Sequence, residues 1–116
     1  MFSNMDVFKI YSAMARHAAE NQNVSARNLA HADDPGFKAQ EIESFQDYMR
    51  RTSMDPTAAA DFKSRESDTP ASPNGNTVSI EQELYRSAEA MSQHEMALTV
   101  YTKSLDLLRS AVGKKY

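Results

Sequence analysis

The chain has no cysteine and no tryptophan, and only three glycines and four prolines in 116 residues. Without cysteine there is no disulfide framework and no thiolate chemistry. With so few glycines there is no glycine-rich loop to cradle a phosphate. No apolar run approaches the roughly 18 residues that a membrane-spanning helix needs. Positive charge is not in excess either. The formal net charge is -3, which supplies no basic field for nucleic acid. Met1 to Ile10 lacks the basic region and following apolar stretch of a cleavable signal peptide, so composition alone predicts a cytosolic protein. A chain of this length makes one domain with a small core.

What is present is helical periodicity at both ends. From about Asp6 to Ala30, one stripe holds Phe8, Tyr11, Ala15, Ala18, Gln22 and Leu29, and an adjacent one holds Val7, Ile10, Met14, Val24 and Asn28. Ser3, Asn4 or Asp6 could cap this helix, about 40 Å long. The pattern stops at Asp34-Pro35-Gly36-Phe37. Pro35 presets φ for a turn, and Gly36 supplies the positive φ that a type II turn requires next. Asp33 and Asp34 can bond to nearby backbone and help the chain leave the helix by about Asp33.

The C-terminal pattern, Ile80 to Val112, is the clearest. Ser79 and Gln82 fit a capping box. Ile80, Leu84, Ser87, Met91, His94, Leu98, Tyr101, Leu105, Leu108 and Val112 recur at alternating spacings of four and three, a heptad seam interrupted only by Ser87 and His94. Glu81, Glu83 and Glu89 lie early and Lys103, Arg109, Lys114 and Lys115 late, as the helix dipole favours. Gly113 could end the helix, which would be about 50 Å long. A helix of this kind needs a partner for its seam. The N-terminal helix is the only candidate of similar length in the chain. The expected fold is therefore mainly α: an antiparallel coiled-coil hairpin with an irregular, partly flexible middle. Its parts are residues 1–33, the N-terminal helix; 34–78, the elbow and middle; and 79–116, the C-terminal heptad helix. Two helices bury little, so apolar surface should remain for other chains.

The middle carries weaker signals. Ile42, Phe45, Tyr48 and Met49 are spaced for a short helix with Ser44 as its cap, and Asp55-Pro56 reads as an N-cap and first helical residue, with one or two turns over Thr57 to Phe62. Ser64 to Asn76 reads as a polar linker or mobile loop with little to bury. Asn74-Gly75 could form a tight turn, flanked by residues too polar to predict paired strands.

Catalytic constellations are weak. His94-Glu95 begins a zinc-protease motif, but the position one turn on is Leu98, and His17, His31 and His94 form no ligand set. His94 reads instead as a polar seam residue that could set register. Glu41, Glu43 and Asp47 could do acid–base work, but a solvated face is the simpler reading. Of the seven Met, only Met14 and Met91 sit on the seams, which favours core filling over a promiscuous binding surface. No enzyme, metal or cofactor is expected.

The stretch Asn28-Leu29-Ala30-His31-Ala32-Asp33-Asp34-Pro35-Gly36-Phe37-Lys38-Ala39 resembles the N-terminal signature of bacterial flagellar basal-body rod proteins, which reads roughly N-I-A-N-A-x-T-P-G-Y-K-A. Asn28, Ala30, Ala32, Pro35, Gly36, Lys38 and Ala39 match outright, and Leu29 and Phe37 match in kind. His31 stands in place of the second Asn, and Asp34 in place of Thr. Glu41, Glu43 and Phe45 continue the likeness, as does Asn74-Gly75-Asn76-Thr77-Val78 before the last helix. The resemblance covers both ends, leaves the middle largely unmatched, and is strongest to the proximal rod proteins. It implies a structural subunit of the periplasmic rod, exported without a cleaved signal and transmitting torque. Its implied partners are further copies of itself, other rod subunits, the small rod-to-ring adaptor, the membrane ring and, in transit, the flagellar export apparatus, with no nucleic acid. On that resemblance Asn28, Leu29, Ala30, Pro35, Gly36 and Phe37 form an elbow, and Ile80, Leu84, Met91, Leu98, Tyr101, Leu105, Leu108 and Val112 an assembly seam. The other readings are a cytosolic helical adaptor or export chaperone, a small metal-dependent enzyme, and another rod or hook-related axial protein.

Overall fold

A computed structural model describes residues 4–55, 57 and 61–113. Ser3, Pro56, residues 58–60, Lys114 and Lys115 lie outside that description, as do the side chains of Asn4 and Asp6. The elements in order are α1 (Asn4–Ala30), β1 (Gln40–Ile42), α2 (Phe45–Met54), β2 (Ser64–Glu66) and α3 (Ile80–Gly113). The molecule is long and flat, 68 × 28 × 15 Å.

The two long helices pack against each other. Phe8 meets Tyr101 edge-on at 5.4 Å, and Ser25 bonds to Glu83, so the pair is antiparallel. Continuing that register puts Ala18 opposite Ala90 and the start of α1 opposite about Leu105. The rest of α3 therefore runs past the described end of its partner, and Leu107, Leu108 and Val112 are exposed there.

The face of α3 turned toward α1 takes in only part of the heptad seam, at Tyr101 and the half-buried Ser87, His94 and Leu105. Its buried residues are Glu83, Ala90 and Ala97, seven apart. Leu84, Met91 and Leu98 each follow by one residue, about 100° around the helix, and stand 57%, 51% and 46% exposed. Ile80, Leu108 and Val112 are also exposed, while Tyr101 and Leu105 are half-buried. The expectation that α1 would cover the seam is corrected on this point. Small side chains let two helix axes approach closely and gain dispersion contact along their length. Leucines at the same positions would hold the axes apart. The core-filling reading of the methionines is corrected for Met91, which is exposed like Met54 and Met96, while Met14 is half-buried.

The helix ends follow their local signals. The Ser79 hydroxyl accepts from Gln82 N at 3.3 Å, one half of the capping box. Ser44 caps α2 by accepting from Asp47 N. Gly113 belongs to α3 and is not among the glycines at positive φ, so no left-handed stop forms there. Asp55 is the C-cap of α2, and its carboxylate also accepts from Thr57 N, the bond expected of an N-cap; residues 58–60 of the turns expected after it lie outside the described residues. Asp61 and Phe62 are not helical.

The middle departs most from expectation. β1 and β2 pair antiparallel, with Glu41 opposite Arg65, and the ladder extends through Ser67 N to Ala39 O and Glu43 N to Lys63 O. Residues 64–76 are otherwise mostly exposed, as expected of a polar linker, but the stretch ends in buried Asn76, and Thr77 after it is buried too. Every β2 side chain is exposed and polar, so no hydrophobic alternation marked it as a strand. α2 lays Tyr48 and Phe45 beside Phe62, and these rings enclose the buried His17 of α1.

If the alanine face holds the hairpin, Ala97→Leu should overpack it and lower stability by about 1–3 kcal/mol. Leu98→Ala, at a half-exposed position, should change it by only about 0.5 kcal/mol. Thermal melting followed by circular dichroism would compare the two, and the reverse order would show that the leucine seam holds the pair.

Candidate functional site: an elbow clasp and an open seam

The elbow forms as a type II turn. Phe37 N bonds back to Asp34 O at 3.3 Å, Pro35 occupies the second position, and Gly36 takes φ +75°. A second turn docks onto it. Gly75 N bonds to Ser72 O, Ser72 N to Asn76 O, and Gly75 takes φ +87°, the pattern of a three-residue hairpin loop with a left-handed glycine. Its centre is Pro73-Asn74, one residue before the expected Asn74-Gly75. The two turns touch backbone to backbone. Gly36 N donates to Asn74 O at 2.9 Å, and a Cβ added at Gly75 would stand 3.4 Å from Gly36 Cα.

Buried Asn76 joins the turns. Its side-chain amide donates to His31 O and Asp34 O at 2.9 and 2.7 Å, and its carbonyl accepts from Val78 N. Thr77 N donates to Phe37 O, and Thr77 Oγ1 accepts from Ala39 N. Lys38 Nζ reaches Gly75 O. His31 and Asp34, the two departures from the rod signature, bond to each other: His31 Nδ1–H donates to the Asp34 carboxylate at 2.6 Å, and the imidazole stacks on Phe37 at 4.6 Å. Ala30 ends α1 and is exposed, as are Pro35 and Gly36, whereas Leu29 and Phe37 are half-buried.

Asn28 lies deepest. Its side chain bonds both the N–H and the C=O of Gln40, as a neighbouring strand would, and also donates to Glu83 Oε2 at 3.1 Å. Glu83 is 1% exposed. It also accepts from Ser25 Oγ at 2.9 Å and lies 3.5 Å from Arg86 Nη1. All its partners are donors, the set that an acceptor-only carboxylate requires. Arg86 continues to Glu41, which pairs in turn with Arg65 of β2. Ser25 and Arg86 were not singled out from sequence, His17 was weighed only as a metal ligand, Thr77 entered only through the family resemblance, and Glu83 was read only as a dipole charge. A polar residue in a helical stripe gives no sign of whether its partners will arrive from distant parts of the chain.

Glu41 and Glu43 are not a solvated acidic face. Burial raises the pKa of Glu41, but the hydrogen bond from Arg65 and the charges of Arg86 and Arg65 outweigh it and leave the carboxyl below its usual range. Glu43 is lowered chiefly by its hydrogen bonds from Arg51, at 2.6 and 3.1 Å, helped by the Lys63 amide. Its backbone carbonyl also accepts from His17 Nε2–H, which ties the middle to α1. Asp47 is exposed beside Arg50. Among the described residues, no group of three or more His, Asp or Glu could hold a metal ion, and no helix is long and apolar enough to cross a membrane.

His94 is half-buried and lines an apolar cleft between the long helices with Tyr11, Ala15, Arg16, Leu98 and Tyr101.

Two tests follow from this geometry. No atom lies within 4 Å of a Cβ added at Gly36, so substitution there meets backbone strain and no clash. Gly36→Val should cost about 1–3 kcal/mol and Gly36→Asn much less, read as lost hydrogen-exchange protection at Thr77 N; equal protection in both would argue against the turn. The lowered Glu41 and Glu43 bind fewer protons folded than unfolded. Their contribution is therefore complete above about pH 4.5 and lost as pH falls through their folded values. Acid should release β1–β2 protection, and Arg51→Ala should reduce the share of that pH dependence due to Glu43.

No protein-family model matches the chain, and no curated protein matches it either.

Proposed function

We propose that the protein is a structural subunit of the bacterial flagellar basal-body rod, not an enzyme, and that it resembles the proximal rod protein FlgB most closely. The observation that carries this reading is the exposed apolar line along α3. Leu84, Met91 and Leu98, continued by Leu108 and Val112 beyond the start of α1, are left open by the chain's own fold. A subunit that buries small residues internally and shows larger apolar ones in a row is suited to packing helix against helix with its neighbours. The motif from Asn28 to Ala39 adds a second support. Its residues form an ordered elbow that holds the middle against the base of the hairpin.

On this reading the partners are further copies of the chain, other rod subunits, the rod-to-ring adaptor and the membrane ring, with the export apparatus encountered in transit. The place of action is the periplasmic rod, and the task is to pass torque along it. No cofactor is needed.

The test is assembly in cells that lack the native protein. Met91→Lys places a charge on the open line, where it costs the isolated chain little. If neighbours cover that line, the charge is buried without a partner, at a cost of several kcal/mol per subunit, roughly 3–5. The variant should be made and remain folded, while basal bodies lack a rod and cells do not swim. Lys103→Ala, off the seam, should be mild. Normal rods built from Met91→Lys subunits would remove the physical support for this function. Recovery of the native protein only in the cytosol, never with purified basal bodies, would favour an adaptor or export chaperone instead.

A further inference from the structure

We infer that the Asn74–Gly75 bond is a deamidation site that the elbow clasp holds shut, so that its conversion records irreversibly that the clasp has opened. Asn74 is exposed and is followed by a residue with no Cβ to shield the next amide nitrogen. In the reaction, Gly75 N attacks Asn74 Cγ and a new C–N bond forms. The side-chain nitrogen leaves as ammonia, taking up the proton that Gly75 N gives up, and a five-membered succinimide remains. Water then opens the ring at one of its two carbonyls. One opening gives aspartate. The other gives isoaspartate, in which the main chain runs through Cγ and is longer by one methylene. No oxidant, metal or enzyme is required.

The clasp ties up both reacting groups. Gly75 N, the nucleophile, donates to Ser72 O at 2.8 Å, inside the turn that Pro73 presets. The Asn74 side-chain oxygen accepts from Asn76 N at 3.0 Å, so the amide is turned to the residue beyond its target. The Asn74 carbonyl is held by Gly36 N, and the Gly75 carbonyl by Lys38 Nζ. Attack requires the bonds of Gly75 N and of the Asn74 side chain to be given up, and the bonds from Gly36 N and Lys38 Nζ hold the loop against that rearrangement, so it proceeds from the open clasp. The rate is then the intrinsic rate multiplied by the fraction of chains that are open. Isoaspartate makes the opening permanent. It lengthens and reroutes the backbone that carries the acceptor for Gly36 N, and it adds a carboxylate to the loop.

The test ages three samples side by side in neutral buffer: the native chain, the same chain unfolded in urea, and Gly36→Val. Isoaspartate at position 74 is read by isoaspartyl methyltransferase labelling and peptide mass spectrometry. The native chain should convert roughly tenfold more slowly than the urea-unfolded chain or slower still. Gly36→Val should move toward the unfolded rate while its circular dichroism keeps both long helices. If that variant retains hydrogen-exchange protection at Thr77 N, Asn76→Ala takes its place, since it removes the side-chain bonds to His31 O and Asp34 O. Equal rates in native and unfolded chains would overturn the inference, as would no isoaspartate at position 74 in urea. A clasp-opened variant that converts at the native rate would overturn it too.

Discussion

A carboxylate cannot be taken out of water alone, and Glu83 is almost wholly buried between the two long helices. Besides Arg86 on its own helix, its donors come from α1, with Ser25 and Asn28 about one turn apart on the facing helix. That constraint sets the azimuth of α3, because a helix that buries Glu83 also buries the residues seven and fourteen positions on. Those are Ala90 and Ala97, small enough for close approach. Sliding or rotating the pair would leave a buried charge without its donors, at a cost of several kcal/mol, about 3–5. A polar node thus specifies what an alanine face by itself would leave degenerate.

The same node organises the middle of the chain. Asn28 spends its remaining capacity on both backbone groups of Gln40 and so serves as a one-residue edge strand for β1. Arg86, beside Glu83, reaches Glu41, and Arg65 joins from β2. A two-stranded sheet of three-residue strands is at best marginal by itself. Here it is held from three sides: by Asn28, by the ion pairs around Glu41, and by the clasp of two glycine turns at its base. His17 adds a fourth tie, donating to the Glu43 carbonyl from within the ring of Phe45, Phe62 and Tyr48, although its Nδ1 finds no partner among the described residues.

Satisfying the node leaves the larger apolar residues outside. The face that carries Leu84, Met91 and Leu98 lies about a quarter-turn from the buried line of Glu83, Ala90 and Ala97, and about half of each of these side chains is exposed. Internal specificity and external stickiness are therefore carried by different stripes of one helix. That division would let a subunit fold with a defined hairpin before its seam is covered, and it underlies the proposed role in assembly.

The sequence by itself determined the extent of α1 and α3, the Ser44 and Ser79 caps, and the type II turn at Pro35-Gly36. Each rests on local chemistry: a 3.6-residue period, a hydroxyl beside an orphan amide, a residue that tolerates positive φ. Asn28 was marked as an elbow residue only by the resemblance of its motif. Only the tertiary structure decided which stripe of α3 faces inward. Apolar periodicity ranks residues by size and hydrophobicity, and it pointed to Leu98 over Ala97, whereas close approach and the hydrogen bonds of Glu83 chose the reverse. The β1–β2 pair was equally hidden, since polar, exposed Ser64 to Glu66 are held by β1 and by the Arg65–Glu41 ion pair, whose partners are 24 residues apart, and Glu41 is in turn paired with Arg86, 45 residues away from it. Non-local donors decide such features, and no window of neighbouring residues contains them.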